Sequence, residues 1–261
     1  MNLRVTRAAL LLAFPLALAL VSCQRQVKSD DDIVPTGAPS TIEIRFRNMY
    51  TPYFDLVLDS NLTIGLAFLT ISEFKYYISN IQLMSSTTGD TISIPGTYFL
   101  IDHKKPESKI CQFKAPADSY YGMSFLIGID DAKNSAGPGT GALNPALGMF
   151  WNNTDGYIMA VLEGKIGATK PPTDAFSLHV GGTKAPYSVL GRRYFKLGGA
   201  QLIDPTRKCV INMTADAREW FTGPNNTGIG TNPILNAPGD QAFKVSQNYF
   251  KMFDFISVKF E

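Results

Sequence analysis

The sequence predicts an all-β protein: a single β-sandwich-like domain with long loops and one or two short helical turns. Three observations lead there. Strand-like runs rich in Ile, Phe, Tyr and Val recur from Thr41 onward, and several alternate apolar with polar residues. Alternation at period two gives one buried and one wet face. Turn formers separate the runs: Thr88-Gly89-Asp90, Pro95-Gly96, Ala136-Gly137-Pro138-Gly139, Pro171-Pro172 and Pro224-Asn225-Asn226. Helical periodicity is scarce. Many strands with turns between them suggest two packed sheets.

Before the domain, residues 1–22 place Arg4 and Arg7 ahead of an apolar run from Ala8 to Val21. A basic start followed by about 7–15 apolar residues reads as a cleaved secretory signal, too short for a comfortable membrane span. Leu20-Val21-Ser22-Cys23 fits the bacterial lipobox, so Cys23 is expected to be acylated and to become the first residue. Residues 23–40 are polar, charged and contain Pro and Gly, which predicts a flexible tether. Its run Asp30-Asp31-Asp32 is similar to export signals of surface lipoproteins in some Gram-negative bacteria. The expected address is the outer membrane of such a bacterium, facing periplasm or cell surface.

The domain is expected to span 41–261. "TIEIRFRN" sets Ile42, Ile44 and Phe46 against Glu43, Arg45 and Arg47. Further strands are expected at "FKYYISNIQLMS", "TYFLID", "YYGMSFLIGI", "GYIMAVLEGKI", "FSLHVGG", "RRYFKLGG", "KCVINM" and "FDFISVKFE". "ADAREWFTG" suits one or two helical turns with Trp220 as packing, and "SEFKYY" is compatible with a short helical start to its strand. Neither an internal repeat nor a linker-like break follows residue 41.

Without residues 1–22 the chain carries 22 basic against 22 acidic residues, since Arg4 and Arg7 are lost from 24. A neutral chain lacks the basic track that nucleic acid binding requires, so nucleic acid is not an expected partner. With Cys23 lipidated, Cys111 and Cys209 remain. In an oxidising compartment they suggest one disulfide, with two buried free thiols on neighbouring strands as the alternative. Neither cysteine has the C-x-x-C spacing of a thiolate metal site.

Catalytic signatures are missing: there is no G-x-S-x-G, H-E-x-x-H or P-loop, and "SEFK" at 72–75 lacks the downstream partners of an S-x-x-K nucleophile. The chain is therefore not expected to be an enzyme. "DDAKN" at 130–134 departs from EF-hand spacing and reads as an Asp/Asn turn. Two histidines remain, His103 in a charged turn and His179 on the polar side of "FSLHVGG". Met149 and Met159 offer soft thioethers, or simply core filling. Trp151 sits between a Gly-rich loop and an Asn-rich turn, where a core tryptophan is unexpected.

"FKYYISNIQL" (74–83), "YFLID" (98–102), "FLIGIDDAKNSAGPGTGALNPALGMFWNNTDGYIMAVLEG" (125–164) and "FSLHVGG" (176–182) resemble successive blocks of the MbnP-like family. These are secreted or lipid-anchored relatives of the copper-binding partner of methanobactin gene clusters. The resemblance implies copper held through histidines. In some relatives a tryptophan is oxidised to kynurenine by a di-haem MauG-type partner. His179 falls on the family's F-x-x-H-[IV]-G-G-like strand, and the resemblance implies His179 and Trp151 as metal positions, with His103 the further histidine candidate to complete the set. Two positions depart from the pattern. The family's G-M-F-W-x-W has Asn153 as its second tryptophan here, and His103 matches no family histidine. The implied function is copper storage, scavenging or delivery without turnover. The alternative is a non-catalytic surface binding or adhesion module, with the loop from Asn134 to Asp155 as its contact surface.

Overall fold

The computed structural model describes residues 38–230 and 232–261; the signal segment, Cys23 and the predicted tether up to residue 37 lie outside them. In chain order the strands are β1 (Pro39–Met49), β2 (Leu62–Ile64), β3 (Ala67–Ser85), β4 (Thr91–Ser93), β5 (Tyr98–Asp102), β6 (Ile110–Pro116) and β7 (Asp118–Ile127). They continue with β8 (Phe150–Asn152), β9 (Gly156–Gly167), β10 (Asp174–Gly181), β11 (Gly191–Ile203), β12 (Cys209–Asp216), β13 (Ile234–Leu235) and β14 (Phe253–Phe260). Three short helices interrupt them: α1 (Asp131–Ser135), α2 (Glu219–Thr222) and α3 (Asp240–Tyr249).

The strands form two sheets packed as a sandwich. One has the order β14-β12-β1-β6, with β1 and β12 parallel. The other runs β11-β7-β3-β9-β10-β13, with β2, β4 and β5 added to β3 and β8 added to β9. The alternation in β1 does what the sequence predicts: Ile42, Ile44 and Phe46 are buried. Phe46 then meets Tyr76, Phe125 and Phe253 edge-on at 5.8–6.1 Å, joining both sheets through aromatic contacts. Burying one such ring stabilises the fold by about 1.5–3 kcal/mol.

Local expectations are corrected at three places. Ser72–Lys75 is fully strand, inside the 19-residue β3, with no helical start. β6 and α3 were not predicted; β6 buries Cys111, Phe113 and Ala115 in alternation, and α3 buries Ala242, Val245, Ser246 and Tyr249. The disulfide is not made. Both cysteines are free and buried, Cys209 paired with Ile42 and Cys111 with Ile44 on opposite sides of β1. Two strand spacings, about 9–10 Å, exceed the ~7 Å between Cα atoms that a bridge tolerates. Burial pushes the Cys111 thiol up and that of Cys209 to about 12.

Trp220 is fully buried and stacks on Tyr249 of α3 at 4.6 Å, a packing role as expected. On the outward face of the four-stranded sheet, Arg45 holds Glu43 and both carboxylate oxygens of Glu261, while Lys208 holds the same two acids. Hydrogen bonds from Arg45 and Lys208 bring the Glu261 carboxyl down to about 2.

Candidate functional site

The outward face of the ten-stranded sheet is partly roofed by the segment from Asp130 to Trp151. Asp130 caps α1 by accepting from the Lys133 N–H (2.9 Å), and its other oxygen accepts from Asn80 Nδ2 (3.0 Å) and the Tyr98 hydroxyl (2.7 Å). Burial works against its ionisation, but these bonds outweigh that and hold its carboxyl below the usual range. Asp131 takes the Thr183 hydroxyl and Lys184 Nζ, and Asn134 Oδ1 accepts from the Tyr157 N–H at 2.8 Å. "DDAKN", expected as an Asp/Asn turn, is instead the N-cap and first four residues of α1, and its oxygens serve the protein itself.

Tyrosines pin the rest of the roof. Tyr157 donates its hydroxyl to the Leu143 carbonyl (2.8 Å) and accepts from the Gly139 N–H (2.9 Å), while Tyr77 donates to the Ala142 carbonyl (2.7 Å). Leu143 and Met149 are buried beneath. After Gly148, in the left-handed region at φ 74°, the chain forms β8 and turns through Asn152, whose Oδ1 accepts from the N–H groups of Thr154 and Asp155. This places Trp151 half-buried over Gly181 of β10. A Cβ at 181 would stand 2.6 Å from the indole and 2.7 Å from the Tyr157 carbonyl, so only glycine permits the approach.

His179 is two residues before Gly181 on the same strand. Phe176, Leu178 and Val180 point into the core; Ser177 and His179 point out. Trp151 therefore lies over the end of β10, where the pairing with β9 shifts register after Val180, two residues along the strand from His179. His179 Nε2 lies 2.6 Å from Glu163 Oε1 on β9, which also accepts from the Ser177 hydroxyl at 3.1 Å. A carboxylate accepting here takes the Nε2 hydrogen, and in the neutral ring the lone pair is then on Nδ1. Neither His179 Nδ1 nor Glu163 Oε2 has a protein partner among the described residues. The two side chains are 26% and 36% exposed, open enough to be reached.

Beside them on the same sheet, Lys75 is paired with Glu73 and lies 3.7 Å from Asp102, and Lys104 holds the other Glu73 oxygen at 2.5 Å. Burial opposes the charge on Glu73, but the Lys104 and Lys75 bonds win and lower its pKa. These charges satisfy one another.

His103 stands apart, on the core side of the sheet. The Tyr76 hydroxyl donates to Asn48 Oδ1 (2.8 Å), and Asn48 Nδ2 faces His103 Nδ1 at 3.2 Å. Nδ1 therefore accepts, and the ring donates to the Leu56 carbonyl. Burial first, then Lys109, pushes its pKa below the ordinary value. Met149 and Met159 are buried too, and the Met159 sulfur accepts from the Ile129 N–H at 3.2 Å. Of the residues singled out in the sequence, then, the fold brings His179 and Trp151 to the same end of β10 and leaves His103 apart. Glu163 was missed. Pairing "GYIMAVLEGKI" with "FSLHVGG" as a hairpin would have set it opposite Ser177, diagonal to His179.

No group of three or more His, Cys, Asp or Glu among the described residues is arranged to hold a metal. What the face offers copper is one imidazole nitrogen with a preset lone pair, backed by a carboxylate. That fits an ion bound through few protein atoms, with coordination positions left open, and does not fit an enclosing cage. Next to Trp151, a cleft of about 400 Å³ lies between Asn134, Asn153, Asp155, Thr183, Lys184 and Tyr187.

A family model described as MbnP matches residues 39–237, and the chain belongs to that family. Among solved structures, MbnP from Methylosinus trichosporium is similar to it at 14% identity, covering 78% of this chain and 83% of that one with a TM-score of 0.48. A comparison with curated proteins finds no match.

Proposed function

We propose that this MbnP-family chain is a lipid-anchored cell-envelope protein that handles copper as exchangeable cargo, without turnover, at the His179 face of β10. The observation that supports it most is the unpaired Nδ1 of His179, aimed by a carboxylate on the other ring nitrogen. Metal-bound histidines characteristically donate their second N–H to such a carboxylate, which fixes the tautomer and raises ligand basicity. Glu163 fills that role. Trp151 covers the adjoining end of β10. Oxidised to kynurenine by a di-haem partner, it would add an aromatic amine as a second nitrogen donor. Open coordination positions favour delivery or scavenging over storage. The test is copper content and titration of the mature protein beside its His179→Ala variant. Stoichiometric copper lost in the variant supports the reading, and equal copper in both removes it. Trp151→Phe is expected to keep the fold and lower copper retention.

The cleft beside Trp151 favours a second reading, a surface recognition module that uses the roof loop. Asn153 and Thr154 side chains line it without protein hydrogen-bond partners among the described residues. Loops carried on a rigid β scaffold commonly serve recognition. A protein that takes up no copper, yet loses a cell-surface partner when Asn153 and Thr154 become alanine, would fit this reading instead.

A further inference from the structure

β5 pairs with β3 so that Asp102 stands directly opposite Lys75. Side chains paired in this way leave the sheet on the same side. Lys75 Nζ lies 3.7 Å from Asp102 Oδ2, and the two side chains are only 17% and 8% exposed. Val161, the partner of Lys75 on β9, is buried beside them. Glu73, two residues earlier on β3, touches the same Nζ with Oε1, while Lys104 Nζ holds its Oε2 at 2.5 Å. The Lys104 backbone N–H donates to Asp102 Oδ1 at 3.0 Å. The separation of Lys75 from Asp102 exceeds the ~2.7–2.9 Å of a charge-assisted hydrogen bond, so the pair forgoes hydration without closing on each other. Two paired strands thus gather an amine, a carboxyl with one oxygen anchored, and a second carboxylate in contact with the amine.

We propose that Lys75 and Asp102 condense into an intramolecular amide bond that staples β3 to β5, with Glu73 carrying the proton. Glu73 takes a proton from the Lys75 ammonium and frees the lone pair on Nζ. Nζ attacks Asp102 Cγ while the Lys104 N–H steadies the charge that builds on Oδ1. The Nζ–Cγ bond forms and the Cγ–Oδ2 bond breaks. Oδ2 leaves as water with two of the three ammonium protons, one of them delivered by Glu73, which ends as the carboxylate it was. An ammonium and a carboxylate become one amide and one water, so atoms and charge balance without an added reagent. Free in water, the ions are preferred to the amide. Here the strands hold the groups close to the ~3–3.5 Å of a reactive contact, and a neutral amide removes two poorly hydrated charges. Burial opposes the charge on Glu73, yet its bonds to Lys104 and Lys75 keep it ionised, as a proton acceptor must be.

A tryptic digest of the purified, denatured protein, read by mass spectrometry, tests this. Trypsin does not cut after an acylated lysine, and between Arg47 and Lys104 its one other site is Lys75. With the amide in place, residues 48–104 should run as a single peptide, lighter by one water than their sequence. Chymotrypsin, cutting at Tyr77 and Phe99, should then leave the fragments that carry Lys75 and Asp102 joined, which separates the amide from a dehydrated aspartate elsewhere in the peptide. Asp102→Ala and Glu73→Gln should each give separate peptides 48–75 and 76–104. Wild-type protein that yields those two peptides, or an uncut peptide of full mass, overturns the proposal. The wild-type digest decides this even if a variant fails to fold. A Glu73→Gln protein that still loses the water overturns the proton-carrying role of Glu73.

Discussion

His103 and His179 stand on opposite faces of one sheet, and their surroundings differ in a single respect that matters for chemistry. Around His103 the chain from the Tyr76 hydroxyl through Asn48 to the Leu56 carbonyl uses the acceptor and donor of the ring in turn. Around His179, Glu163 takes one nitrogen and none of the described residues takes the other. Both histidines are polar residues in a β scaffold, and both are hydrogen-bonded. One network is complete, and the other leaves a ring nitrogen without a partner among the described residues. Both rings are partly buried, so burial does not separate them; the open ring nitrogen of His179 does.

The largest expected contrast is in copper. His179→Ala should reduce copper retained after gel filtration to background, while His103→Ala should keep the wild-type stoichiometry. A folded His103→Ala protein without copper would break the comparison, because it would bring the core-side histidine into the site. Stability should show the reverse pattern. Removing the His103 ring leaves Asn48 unsatisfied in a buried place, at a cost of about 1–3 kcal/mol in urea unfolding. His179→Ala, on an open face, should stay within about 0.5 kcal/mol.

The same contrast has a pH signature. The folded-state pKa of His103 is depressed, so the folded protein binds its proton less readily than the unfolded chain does. Its contribution is therefore intact above the unfolded histidine pKa, near 6.5, and stability declines as pH falls from there through the depressed folded value. His103→Gln should flatten that decline in urea midpoints measured across this window. A slope that persists unchanged would place the titrating group elsewhere.

Glu163→Gln should act more mildly than His179→Ala. The amide keeps the shape but not the charge that fixes the ring, so copper affinity should fall by about 10–100-fold. Unchanged affinity in a titration would mean that Glu163 packs beside the histidine without orienting it.

The sandwich was legible because its long strands carry their instructions locally. Ile42, Ile44 and Phe46 alternate with charges, and Phe176, Leu178 and Val180 alternate with Ser177 and His179. β6 is hard to read because its alternation in "ICQFKAP" is short and ends on Pro116, and α3 because its buried face includes the polar Ser246 and Asn248. The site was half legible. His179 and Trp151 came from motif resemblance, but their meeting at one end of β10 depends on pairing across the Pro171-Pro172 turn and on a loop folding back over Gly181. Those are long-range facts, as are the separation of Cys111 from Cys209 by β1 and the capture of His103 by Asn48.

Gly181 sharpens the comparison most finely, because it couples the roof to the open histidine without touching the core-side one. In Gly181→Ala the new methyl meets the indole of Trp151 and the carbonyl of Tyr157. The carbonyl belongs to the paired strand β9 and cannot swing away, so the indole and its loop must give. Overpacking of this kind costs about 1–3 kcal/mol. The emission of Trp151 should shift to the red as the ring lifts into solvent, while buried Trp220 supplies an unshifted reference. If the indole screens the His179 face, copper binding should weaken, though by less than in Glu163→Gln, since the imidazole and its carboxylate stay in place. The histidine on the other side should be indifferent: the pH dependence attributed to His103 should be superimposable on that of the wild type. A Gly181→Ala protein whose Trp151 emission moves while its copper affinity does not would show that Trp151 roofs the end of β10 and takes no part in the site below it.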